Sequence, residues 1–231
     1  MWRALVSRLG LSSAPPELEP RPAYDLWAAT YPCEAQNPLM RAEEAALLEL
    51  LPPEDVRGRR ALDLACGAGR YLRMLADAGA AGILGLDFSA AMLARARRAG
   101  PAVGQADMLA LPLATASLDV VVCGLAVGHL PELRPILREA ARVLRSGGVL
   151  VYSDFHPCGH LQGWKRAFRA GKREYVVRHH VHLYADHQAA CRAAGLAIEA
   201  LREPCAVDDL GRRAWGDVPA ALVVRAVRVR H

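Results

Sequence analysis

Ala61-Leu62-Asp63-Leu64-Ala65-Cys66-Gly67-Ala68-Gly69-Arg70 is the stretch on which the fold turns. Its first half is a short run of mostly apolar residues without alternation. That pattern suits a strand buried on both faces of a parallel sheet. Gly67 and Gly69 let the backbone turn sharply and approach a ligand closely. Residues 71–78 then read as an amphipathic helix. A ligand at such a turn meets the free N–H groups of a helix N-terminus, which favour a carboxylate or phosphate.

The same alternation continues outward. Apolar runs at 82–86, 102–106, 118–124 and 149–153 are separated by helical stretches, of which 90–98 and 132–144 are the clearest. Strand–helix alternation implies a doubly wound sheet with right-handed crossovers. The tail departs from it. A helix at 187–194 precedes strands at 196–201 and 220–229, and only the turn-rich residues 203–218 separate those two. A crossover helix does not fit there, so the last two strands pair antiparallel. The expected fold class is α/β: a Rossmann-like doubly wound sheet of seven strands, mostly parallel with an antiparallel last strand, plus an N-terminal helical lid.

Residues 1–55 are expected to form that lid and a linker, and residues 56–231 the main domain. Within residues 1–55, 1–10 read as a short helix, 11–22 as a Ser/Pro/Glu-rich linker, and 23–30 and 38–51 as helices. Residues 154–184 form an irregular insert carrying Trp164, Phe168, Tyr175 and five of the eight histidines. Trp164 and Phe168 serve equally well to wall a planar substrate or to dock the insert.

Three further elements join the glycine turn. Asp87 ends the second strand, twenty residues after Gly67, where an acid accepts hydrogen bonds from ribose hydroxyls. Ser89 can cap the next helix, which leaves Asp87 free. Asp107, followed by Met108, ends the third strand, suited to an adenine amino group and ring. Leu125 and His129 follow the fourth strand. All of them fall at the carboxyl ends of strands, where open α/β sheets bind ligands.

With these residues in order, the chain resembles the class I S-adenosylmethionine-dependent methyltransferases. The matches are residues 62–70, Gly85-Leu86-Asp87-Phe88-Ser89 with Met92-Leu93, Asp107 with Leu111-Pro112, residues 117–121 and residues 142–148. The resemblance is strongest to the small-molecule branch, including the ubiquinone, menaquinone and malonyl-carrier-protein methyltransferases. Tyr24-Asp25, Trp27-Ala28 and Tyr31 are similar to the lid helix of that branch. Ala65 and Ala68 stand where the family often has Gly and Thr, and Ser146 where Pro is common. The resemblance implies S-adenosyl-L-methionine as cofactor and a small-molecule methyl acceptor. It implies a cofactor site of Asp63, Ala65, Gly67, Gly69, Asp87, Phe88, Met92, Asp107, Met108 and Leu125. The Gly67 loop would hold the methionine part, Asp87 the ribose, Asp107 and Met108 the adenine, and Leu125 the sulfonium pocket.

Methyl transfer needs an aligned nucleophile, excluded water and sometimes a base. His129, His156 and Tyr31 are the candidate catalytic residues; His129 and His156 are equally suited to capping. The histidines and Cys158 of the insert lack a standard zinc spacing, so no metal is expected. Two other readings compete. A nicotinamide-dependent dehydrogenase would want a third glycine where Leu72 stands, and has no use for Asp107. A catalytically silent S-adenosylmethionine-binding protein shares the whole constellation.

Composition excludes other classes. Hydrophobic residues are 53% of the 231, enough for a sizeable core, yet no apolar run approaches the roughly 20 residues of a membrane span. The net charge is +5, but of 29 basic residues only Lys165 and Lys172 are lysines, and the arginines are dispersed. No dense basic tract with interleaved aromatics suggests nucleic-acid binding. Six cysteines without a C-x-x-C pair read as free thiols of a cytoplasmic protein.

Overall fold

The computed structural model describes residues 14–208 and 210–229. The helix expected at 1–10 lies outside them. Strands β2 (Arg60–Leu64), β3 (Gly82–Asp87), β4 (Ala102–Gln105), β5 (Leu118–Cys123), β6 (Leu144–Phe155), β9 (Leu196–Arg202) and β10 (Ala221–Arg228) form one sheet. Its order is β4-β3-β2-β5-β6-β10-β9. The pairings from β4 to β6 are parallel, and β10 runs antiparallel to both β6 and β9. This is the expected seven-stranded, mostly parallel sheet with its antiparallel end.

Helices α3 (Arg70–Asp77), α4 (Ala90–Ala96), α5 (Arg134–Val143) and α7 (Tyr184–Ala193) flank the sheet. One face packs Leu62, Val121, Ile136, Leu137 and Leu150 into a core; the other packs Ala61, Val120, Val122, Leu75 and Val151. Every residue of β5 is buried, as befits the strand between β2 and β6. Helix α2 (Pro38–Leu50), in the stretch expected to serve as lid and linker, lays Ala46, Leu47 and Leu50 into the second core. Helix α1 (Pro20–Trp27) lies over the strand ends instead.

Two expectations change. The linker read at 11–22 contains a two-residue strand, β1 (Glu17–Leu18), and the start of α1. Pro20 opens that helix, because a first-turn proline gives up no helical hydrogen bond. The insert is not irregular. It holds α6 (Pro157–Leu161) and a hairpin of β7 (Ala167–Ala170) and β8 (Arg173–Val177), on which β1 adds in parallel. Gly171, at φ 61°, opens the hairpin's two-residue turn between paired Ala170 and Arg173. Trp27 stacks on Phe168 at 4.8 Å between ring centres, and Phe168 on Tyr175 at 5.5 Å. Phe168 and Tyr175 therefore pack the hairpin against α1. No helix among the described residues is long and apolar enough to cross a membrane.

Candidate active site

A cavity of about 530 Å³ opens at the carboxyl ends of β2, β3, β4 and β5. Its floor is made by turns that strand sterics would normally resist. Gly67 and Gly69 have φ of 53° and 90°, in the left-handed region. Ala65 and Leu125, at φ 58° and 53°, adopt it without being glycine. Left-handed backbone costs such residues about 1–2 kcal/mol each, and it concentrates where packing enforces it.

The loop and the second strand are joined directly. The Gly67 N–H donates to Asp87 Oδ2 at 2.8 Å, and the Ser89 N–H to Oδ1 at 2.8 Å. Ser89 itself caps α4 by accepting from the Met92 N–H, and its hydroxyl donates to Asp25 of α1. Asp87 is thus a fixed carboxylate, 5% exposed, with a lone pair left on each oxygen. Burial raises its pKa, opposed by the N–H groups of Ser89, Gly67 and Phe88.

Tyr31, Ala65, Gly67, Asp87, Phe88, Asp107, Met108, Leu125 and His129 all line the cavity. Four of the expected site residues do not. Asp63 is buried beneath the loop, and neither oxygen meets a donor at hydrogen-bond geometry. Burial pushes its pKa well up, against the pull of Arg70 and of the Leu72 N–H. Gly69 is the N-cap of α3, packed on Ala96 and Ala99. Met92 is buried in the cluster that seats α1. His156 caps α6, accepting from the Cys158 N–H at 3.2 Å, while Nε2 meets Glu203 at 2.9 Å. It faces a second, smaller cavity instead.

The roof centres on His129. Its Nδ1 faces the Arg178 carbonyl at 3.2 Å, so Nδ1 carries the proton. Nε2 then presents its lone pair to the Tyr24 hydroxyl at 2.9 Å and to Arg166 Nη1 at 3.0 Å. Arg166 also donates to the Tyr24 oxygen and, from Nη2, to the Leu125 carbonyl at 2.8 Å. Burial, then the Arg166 charge, hold the His129 pKa well below its usual value. Burial raises the Tyr31 hydroxyl likewise.

Beneath the floor lies a network that the sequence did not reveal. Glu43 of α2 is fully buried. It accepts from Arg70 Nη2 at 2.8 Å and from the Tyr71 and Ser153 hydroxyls at 2.6 Å. Ser153 Oγ in turn accepts the Leu125 N–H at 2.8 Å. One carboxylate therefore ties the helix after the glycine loop to the turn after β5. The signal for it was an acid inside the apolar stripe Leu39, Ala42, Ala46, Leu47 and Leu50. Arg166 carried no signal among so many arginines.

Behind His129, buried Asp154 meets His182 Nδ1 at 3.2 Å and His179 Nε2 at 3.5 Å. A Cβ on Gly128 would sit 2.0 Å from the His179 ring, so only glycine fits that turn. Among the described residues no group of three or more His, Cys, Asp or Glu side chains is arranged to hold a metal ion.

Fold and site together define a doubly wound α/β protein with a cavity at the strand ends. The family model described as "Methyltransferase domain" matches residues 62–152. A malonyl-[acyl-carrier protein] O-methyltransferase of Enterobacter lignolyticus is 41% identical over 122 residues, 52% of this chain and 47% of that protein. A demethylmenaquinone methyltransferase of Renibacterium salmoninarum is 38% identical over 126 residues, 53% of this chain and 50% of that protein. The chain spans about half the length of these curated relatives. Among solved structures, an S-adenosylmethionine-dependent methyltransferase from Mesorhizobium loti superimposes with a TM-score of 0.68 at 31% identity. That match covers 81% of this chain and 98% of that one. The chain belongs to the S-adenosylmethionine-dependent methyltransferases.

Proposed function

We propose that this chain binds S-adenosyl-L-methionine in the strand-end cavity and transfers its methyl group to a small-molecule acceptor. The observation that carries the reading is the Gly67–Asp87 link, which puts a glycine-bearing loop and an oriented carboxylate on one wall. The donor set suits this cofactor. Asp87 keeps lone pairs for ribose hydroxyls. Phe88, Met108 and Leu109 offer an apolar slot for adenine. Asp107, whose Oδ1 accepts the Leu109 N–H, keeps its other oxygen for the adenine amino group. Gly67 and Ala65 leave room for the methionine part, and Leu125 for the sulfonium. Asp63, Gly69 and Met92 support this wall from behind.

When bound, the cofactor supplies a methyl group already activated by its sulfonium sulfur. The protein's own tasks are alignment and exclusion of water. Tyr24, Tyr31 and Arg166 close the cavity from the lid side. His129 is neutral, its one lone pair is engaged, and a cation adjoins it. Those conditions make it a poor base and a good strut for Tyr24 and Arg166.

Calorimetric titration tests the site: S-adenosylhomocysteine binds and NAD does not. Asp87→Ala weakens that binding by about tenfold or more, the scale of hydrogen bonds to a charged group. Unchanged affinity removes Asp87 from the ribose. Mass spectrometry of reactions with candidate acceptors then separates an enzyme from a silent binder.

A further inference from the structure

A second cavity, of about 290 Å³, adjoins Arg166, which lines both it and the first. Its walls come from the insert and the end of β6: Phe155, His160, Trp164, Lys165 and His179 among them. Among the described residues Glu17 is the one carboxylate on that wall, and Arg178 already engages it at 3.0 Å. His156 on the same wall is matched by Glu203. The remaining side chains are basic, aromatic or valine.

Arg166 has no carboxylate within ion-pair distance among the described residues. Its partners are all neutral: the Tyr24 oxygen, His129 Nε2 and the Leu125 carbonyl. A guanidinium has five N–H donors. Those three bonds leave the Nε–H and one Nη2–H without a protein acceptor among the described residues. The Nε–H belongs to the Nε/Nη2 edge, an edge that can grip a carboxylate through two parallel bonds. The cation is held in place, with its Cζ 4.6 Å from the centre of the Phe155 ring. A half-buried, immobilised and uncompensated cation between two cavities is costly unless an anion completes it.

We infer that the second cavity is the acceptor subsite, and that it takes a small planar organic anion whose carboxylate or other acidic oxygen sits on Arg166. Its body would lie against Phe155 and Trp164. The volume is at the low end of ligand pockets, which run from roughly 300 Å³ upward, so a one-ring compound suits it. The chemistry agrees with the roof. His129 is poorly placed to take a proton beside Arg166. An acceptor that arrives as an anion brings its own electron pair for the new bond to the methyl carbon, the sulfonium C–S bond breaks with its pair left on the departing sulfur, and no proton has to leave. Calling this anion the acceptor rests on the methyltransferase reading; the anion site itself does not.

The test uses the full chain with S-adenosylhomocysteine present, and benzoate and its uncharged isostere benzamide as probes. Isothermal titration is expected to show benzoate binding and benzamide at least about tenfold weaker, as a lost charge-assisted bond implies. Arg166→Gln abolishes the preference, while Arg166→Lys keeps part of it. Equal binding of the two probes to the unmodified chain, or no binding of either, overturns the inference even if Arg166→Gln fails to fold. S-adenosylhomocysteine affinity is measured in the same samples. Its loss in the unmodified chain strikes the methyltransferase reading instead, and leaves the benzoate comparison to stand or fall alone.

Discussion

Replacing Glu43 should damage both stability and cofactor affinity, although it touches neither cavity. Glu43→Ala leaves the Tyr71 and Ser153 hydroxyls without their acceptor in a fully buried place. It also leaves Arg70, mostly buried, with Glu44 at 3.3 Å and the Met40 carbonyl as remaining partners. Each orphaned hydroxyl costs about 1–3 kcal/mol, and breaking a buried ion pair by deleting one partner costs about 3–5 kcal/mol. These overlap, so the expected loss is about 4 kcal/mol, or roughly 8–16 °C in melting temperature for a chain of this size. Urea unfolding followed by circular dichroism measures it. Glu43→Gln keeps the shape and one acceptor oxygen, so it should fall about halfway. Adding Tyr71→Phe to Glu43→Ala removes one orphan, and the double variant should be more stable than the sum of the singles by about 1–2 kcal/mol. Affinity for S-adenosylhomocysteine should drop with Glu43→Gln, because the Leu125 turn hangs from Ser153 and Arg70 opens the helix after the loop. A loss below about 1 kcal/mol in Glu43→Ala, or strictly additive singles, would refute the view that this carboxylate braces the site.

Two further outcomes follow from the same structure. Burial holds His179 and His187 down to about 4, against an unfolded value near 6.5. The unfolded chain therefore binds more protons between those values, and stability falls as pH drops through that window; His182, raised by Asp154 despite burial, opposes part of it. Between pH 7.5 and 5.0 His187 should account for about 2 kcal/mol of the loss, so His187→Gln should flatten the urea-derived profile, and parallel profiles would count against its burial as a neutral ring. Ala65→Gly should raise stability by about 0.5–1 kcal/mol, since a left-handed alanine costs about 1–2 kcal/mol and glycine's added chain entropy returns part of that; a lower melting temperature would show that Ala65 earns its place by packing.

Much of the strand-end cavity was legible because the sheet does the positioning. Gly67, Asp87, Asp107, Leu125 and His129 each follow an apolar run, and parallel strands bring all such positions to one edge. A reader who finds the runs has found the edge. The same logic explains which expected residues do not line the cavity. Asp63 is the fourth residue of β2, and pleating turns its side chain under the loop rather than into the cavity. Gly69 follows the loop closely enough to be drawn into the helix cap.

The second cavity resisted reading for the opposite reason. Arg166 reaches His129 across 37 residues and Tyr24 across 142, from a hairpin outside the main sheet. No periodicity marks a residue whose position depends on how a small second sheet docks on α1. The hairpin is short, its turn is a bare Gly-Lys, and its aromatics serve docking, so composition alone suggested a loop. Glu43 was hidden differently: it sits on a regular helix, and only its charge within the apolar stripe sets it apart. Arg166 and Glu43 are ionisable groups held by distant partners, and such partnerships leave no local pattern. This asymmetry has a functional side. Walls built on strand ends are constrained by the sheet, while Arg166 and part of the second cavity are carried by an element that can change with little cost to the core. Replacing residues of the hairpin is therefore expected to reshape the second cavity and leave the strand-end cavity intact.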